Sequence, residues 1–147
     1  MTTVTVASTG VLRVDGSDVF PLGFSNPPPL GRQAPGGKEG LEEIRAGGAS
    51  FIRTGRDDWD LQSIDAQIAA EKQLEDAAAA HGLHCWLWLG ETPNLPTQPG
   101  SANEQLLTRI TAAFKDHPGL GAYKGFDEPR NPFRGDKWIR PPGLKRA

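Results

Sequence analysis

The stretch "AHGLHCWLWLG", residues 80–90, decides how the chain is read. Ala77 to Ala80 form a strong helix-making run, and Gly82 stands where that helix must stop, because glycine enters the left-handed cap conformation without steric cost. The nearly continuous apolar run that follows has the composition of a strand buried on both faces of a parallel sheet. Upstream, Leu61, Ile64 and Ile68 lie about one turn apart and extend the helix backwards. A helix that hands over to a strand across so few residues is one unit of a β/α repeat.

The same unit recurs on either side. Residues 36–55, "GGKEGLEEIRAGGASFIRTG", place Leu41 and Ile44 at helical spacing, stop at Gly47-Gly48 and continue as a strand near 50–54. Downstream, Ser101 with Glu104 has capping-box spacing. Leu106, Leu107, Ile110, Ala113 and Phe114 share one helical face, Pro118-Gly119 ends the helix, and "LGAYKGF" reads as a strand. Residues 11–25, "VLRVDGSDVFPLGFS", alternate around the turn pair Asp15-Gly16, which predicts a hairpin running into a buried strand near 19–24.

Strand starts near 19, 49, 83 and 119 are spaced by 30, 34 and 36 residues, close to the ~31 per unit of a ~250-residue (β/α)8 barrel. Helix-to-strand turns are short, whereas the strand-to-helix loops "NPPPLGRQAPGGKEG", "GRDDWD" and "GETPNLPTQPGSAN" are long. Long loops therefore gather beyond the carboxyl ends of the strands, where α/β proteins build their sites. The expected fold class is α/β, a partial (β/α)8 TIM barrel. Its expected parts are an N-terminal β-hairpin over 1–18, four β/α units over 19–136 and the start of a fourth helix over 137–147. A doubly wound sheet would normally carry a glycine-rich phosphate loop after its first strand; here that loop is "NPPPL", and neither GxGxxG nor GxxxxGK[ST] occurs.

Composition narrows the function classes. With 18 glycines and 13 prolines the chain is loop-rich, but below the roughly 25–30% glycine plus proline of low-complexity sequence. A net charge of −2 without a Lys/Arg stripe argues against nucleic acid as a partner. The single Cys85 can form neither an internal disulfide nor a CxxC site. No run of about 18 apolar residues predicts a membrane span, and "MTTVTVASTG" lacks signal-peptide character, so the reading is cytoplasmic by default and secretion stays open if the N-terminus is incomplete. His84, Glu91, His117 and Asp127 lack HxH or HExxH spacing, so neither metal nor cofactor is expected.

Together, "DGSDVFPLGFS", "AGGASFIRTG", "AHGLHCWLWLG", "FKDHPGLGAYKGFDEP" and "RPPGLKRA" resemble the N-terminal half of a TIM-barrel glycoside hydrolase, of the retaining clan that includes cellulases and β-galactosidases. That clan carries Asn-Glu-Pro at the end of strand four; this chain has Asp127-Glu128-Pro129. The resemblance implies Glu128 as general acid/base, Asp127 as a sugar-hydroxyl contact and Arg53 as the arginine that holds the nucleophile. It also implies an oligosaccharide or glycoside as the partner. The clan's nucleophile comes from strand seven, which lies beyond this sequence. The expectation is thus either a fragment without hydrolase activity or a homodimer closed through open barrel edges. The alternative is a non-catalytic carbohydrate-binding or scaffold remnant.

Each candidate also has a local reading. Asp127 can cap a following helix with Glu128 and Pro129 in its first turn. Arg53 can pair with Asp57 or Asp58. His84, Trp86 and Trp88 share one side of a strand by alternation; Trp88 is nearest the loops and a candidate sugar platform, whereas Trp86 and His84 suit core packing. Trp59 is either an exposed aromatic or a staple for the next helix, and Glu91 either reaches the cleft or is solvated.

Overall fold

The computed structural model describes residues 2–90, 92 and 99–125. Strands β1 (Val4–Val6), β2 (Leu12–Val14) and β3 (Ser17–Val19) form an antiparallel sheet in chain order. The β2–β3 turn is Asp15-Gly16 as expected, with φ of 48° and 81°. Positive φ at both central residues matches the twist of a two-residue hairpin. The sequence reading assigned no strand before this hairpin, yet β1 pairs with β2 and is tied in by Thr3 N–H donating to Asp15 Oδ1 at 2.7 Å.

A second sheet is parallel, with β4 (Gly23–Phe24), β5 (Phe51–Gly55), β6 (His84–Trp88) and β7 (Leu120–Lys124) in that order. Between them lie α1 (Gly40–Ala46), α2 (Ile64–Ala80) and α3 (Ala102–Phe114). The chain is therefore mixed α/β, with helices alternating with neighbouring parallel strands. Thr2 Oγ1 donates to Pro118 O at 2.6 Å, which ties the antiparallel sheet to the turn before β7.

One face of the parallel sheet is packed by the helices. Leu41, Ile52, Ala78, Leu83 and Cys85 join α1 and α2 to β5 and β6; Ile64, Leu87, Ile110 and Phe114 join α2 and α3 to β6. Each fully buried aliphatic or aromatic side chain contributes roughly 1.5–3 kcal/mol, so these clusters hold the layers together.

The structure corrects several local expectations. The first parallel strand is short and not buried: Phe20 is 85% exposed, and Leu22 and Phe24 are exposed too. Pro21 has no N–H to give a ladder, and β4 has β5 as its one neighbour among the described residues. Strand β6 is not buried on both faces; Cys85 and Leu87 are buried, whereas His84, Trp86 and Trp88 are only partly covered. Helix α2 starts at Ile64 rather than Leu61, because Asp60 Oδ2 accepts from Ser63 N–H and Oγ–H and holds 60–63 as a turn. Helix α3 ends at Phe114, before Pro118. Its start is as expected: Ser101 Oγ accepts from Glu104 N–H at 3.2 Å, although the Glu104 carboxylate returns to Gly100 N–H rather than to the cap residue.

Candidate functional site

The sheet face turned away from the helices carries the chemistry. Alternation along β5 sends Ile52 and Thr54 to the helices and Phe51 and Arg53 to the other side. In β6 the same rule puts His84, Trp86 and Trp88 beside them, since Phe51 pairs with His84 and Arg53 with Trp86. The Phe51 and Trp86 rings stack with centroids 6.2 Å apart, and Phe51 meets His84 at 5.5 Å. Two glycines make room for this cluster. A Cβ on Gly23 would collide with the Trp86 ring, and one on Gly121 would lie 2.5 Å from Phe51 Cε1.

Strand β7 breaks alternation. The register slips between Cys85 and Trp86, so that Leu120 pairs with Cys85 but Ala122 pairs with Trp86. Such a bulge places one extra residue on one strand and reverses the facing of everything after it. Tyr123 consequently turns to the helix layer, its hydroxyl donating to Thr111 O at 3.3 Å; burial pushes its pKa up to about 12. Lys124 comes to the aromatic side.

Trp88 is the centre of the strand-end region. Arg53 Cζ lies 4.8 Å and Lys124 Nζ 4.9 Å from its ring centroid, one from each neighbouring strand. Arg53 also donates to Asn26 Oδ1 at 3.3 Å in the loop after β4. The pairing of Arg53 with Asp57 or Asp58 is not formed: Asp58 is held by Arg56 in two hydrogen bonds of 2.6 and 3.1 Å, which draws its carboxyl below the usual range. On this face the ring nitrogens Nδ1 of His84 and Nε1 of both Trp86 and Trp88 are buried without a hydrogen-bond partner among the described residues. Burial lowers the His84 pKa, so the imidazole resists protonation.

Trp59 is elsewhere. It is 7% exposed in the cluster with Ile64, Leu87 and Phe114, and its Nε1–H donates to Trp88 O at 3.0 Å. It is the staple for the next helix, not an open aromatic. Its bond and the close approach of Gly55 to the Trp88 backbone fix the strand end that carries Trp88. Glu91, Asp127 and Glu128 lie outside the described residues.

Of the described candidates, Arg53 and Trp88 come together and Trp59 supports them from behind. Asn26 and Lys124 were missed. Lys124 ends "LGAYK", and strict alternation from Leu120 places it on the helix side; only the Gly121 bulge brings it round. Gly-Ala in a strand whose neighbours are large is the one sequence hint of that bulge. Among the described residues no group of three His, Cys, Asp or Glu could hold a metal ion, and no helix is long and apolar enough to cross a membrane. Comparison of the chain with protein-family models, with curated proteins and with solved structures finds no match.

Proposed function

We propose that this chain is the first half of a (β/α)8 barrel derived from a glycoside hydrolase, with a β-linked sugar bound at the carboxyl ends of the parallel strands, around Trp88. The observation that carries the reading is the Trp88 ring flanked by the Arg53 guanidinium and the Lys124 ammonium at the strand ends. Cationic donors beside an aromatic ring favour a ligand that has an apolar face and is rich in acceptor oxygens. A pyranose has both properties. Parallel strands in chain order, with the helix-packed residues on one face, also suit a barrel wall.

In this reading Glu128, four positions beyond the last residue of β7 in sequence, donates a proton to the leaving glycosidic oxygen, and Asp127 contacts a sugar hydroxyl. A retaining enzyme sets its second carboxylate about 5–5.5 Å away, and that group comes from strand seven of the family. In a full-length barrel carrying this segment, Glu128→Gln should lower hydrolysis of an unactivated β-glycoside by roughly 100-fold or more. Undiminished turnover would rule the role out.

One observation favours the second reading, a binding module. The four parallel strands carry no Asp or Glu, so in this second reading the strands supply sugar contacts and no catalytic carboxylate. Saturable oligosaccharide binding by the 147-residue chain without sugar release would support that reading. Strands β4 and β7 each pair on one side only among the described residues, and such edges attract partners. A second copy closing on them is the proposed oligomer; a monomer at high concentration in sedimentation would contradict it.

A further inference from the structure

Glu75, on α2, is fully buried between that helix and the sheet. Thr54 Oγ1 of β5 donates to its Oε1 at 3.0 Å, while its Oε2 has no hydrogen-bond partner of good geometry and lies 3.3 Å from His117 Nδ1. His117 sits in the turn between α3 and β7. Its Nε2 is 3.1 Å from Asp76 Oδ1, and its Nδ1 receives the Gly119 N–H at 3.1 Å. Asp76 as a carboxylate only accepts, so Nε2 carries the ring hydrogen; Nδ1, already facing a donor, offers a lone pair. A charged Glu75 would then aim an oxygen at a lone pair inside the protein.

We propose that Glu75 is protonated in the folded protein and that its proton, directed at His117 Nδ1, is a pH-sensitive latch joining α2, β5 and the α3–β7 turn. An ion pair with a doubly protonated ring is the competing arrangement, and it would force a hydrogen on Nδ1 against the Gly119 N–H. The balance of burial and charged neighbours favours a neutral acid. On α2, Glu71 and Asp76 oppose a negative charge at Glu75 and Lys72 favours it; burial is the largest effect, and the pKa rises to about 7. On β6, burial also pushes the Cys85 thiol up, with Glu75 adding to the effect, and on β7 the Tyr123 phenol is held neutral beside Glu75 and Asp116.

The latch has a mechanical consequence. Thr54 lies next to Arg53, and the following Gly55 N–H donates to Glu71 Oε2 at 2.8 Å, so α2 grips the strand end that presents Arg53 to Trp88. Loss of the proton leaves a buried charge at that grip, and α2 and the α3–β7 turn loosen together. This inference concerns the helix layer and stands whether or not the chain binds sugar.

The test is unfolding of the full chain in urea from pH 4 to 9, for wild type and Glu75→Gln, whose amide imitates the protonated acid. The unfolded carboxyl titrates near 4.5 and the folded one near 7. Wild-type stability relative to the variant should therefore be greatest below pH 4.5 and lost as pH rises. The ratio of unfolding constants should climb about tenfold per pH unit between those limits and level off above them. A flat ratio would overturn the latch. If Glu75→Gln does not fold, the wild type decides by NMR: the Glu75 carboxyl carbon should titrate near 7. A midpoint near 4.5 would overturn it equally.

Discussion

The two faces of the parallel sheet are built on different principles. On the helix side, Ile52, Cys85 and Leu87 are wholly buried, and packing against Leu41, Ile110 and Phe114 accounts for their presence. On the other side, aromatic rings, an arginine and a lysine share a surface on which three ring nitrogens lack partners among the described residues. The helix side keeps an unpartnered buried atom too, Glu75 Oε2, so the faces differ in their chemistry rather than in completeness of hydrogen bonding. The contrast teaches that aliphatic packing accounts for one side, whereas rings and cations make up the other.

The contrast can be broken by mutation. Phe114→Ala should cost about 3–5 kcal/mol, the range for emptying a closed aromatic site, whereas Trp88→Ala, at a partly covered position, should cost about half that or less. Equal losses in urea denaturation would erase the distinction. Gly121→Val sharpens it from the other direction: the new side chain meets Phe51 and His84, and overpacking of this sort costs about 1–3 kcal/mol. Smaller again, Ser101→Ala removes the α3 cap and should lower stability by about 1 kcal/mol. Smallest is Asp18→Ala, which breaks the exposed Arg13–Asp18 pair; its thermal midpoint should barely move, since such pairs give about 0.2–1 kcal/mol.

Sequence periodicity made the helix side legible. Leu41 and Ile44, Ile64 and Ile68, and Ile110 and Phe114 sit at helical spacing, and the stops at Gly47-Gly48 and Gly82 were readable because Gly48 and Gly82 take positive φ, a demand of backbone conformation rather than of packing. The candidate site was legible at Arg53 and Trp88, whose facing follows from unbroken strands. It was not legible at Lys124, where a bulge reverses the alternation, nor at Asn26, which reaches Arg53 from a loop. Trp59 was ambiguous because local sequence does not say which side of a loop an indole falls on; a backbone carbonyl of the neighbouring strand, that of Trp88, settles it. Glu75 was invisible for a related reason. A glutamate in a helix reads as solvent-facing until Thr54 and His117, from distant parts of the chain, close over it.

The most direct test of a sugar site at the strand ends around Trp88 is a tryptophan-fluorescence titration with a panel of β-linked oligosaccharides, run on wild type, Trp88→Ala and Trp59→Phe. Saturable quenching is predicted in wild type and in Trp59→Phe, and its loss is predicted in Trp88→Ala. Absence of any saturable change in wild type, or an unaltered titration in Trp88→Ala, would contradict the account.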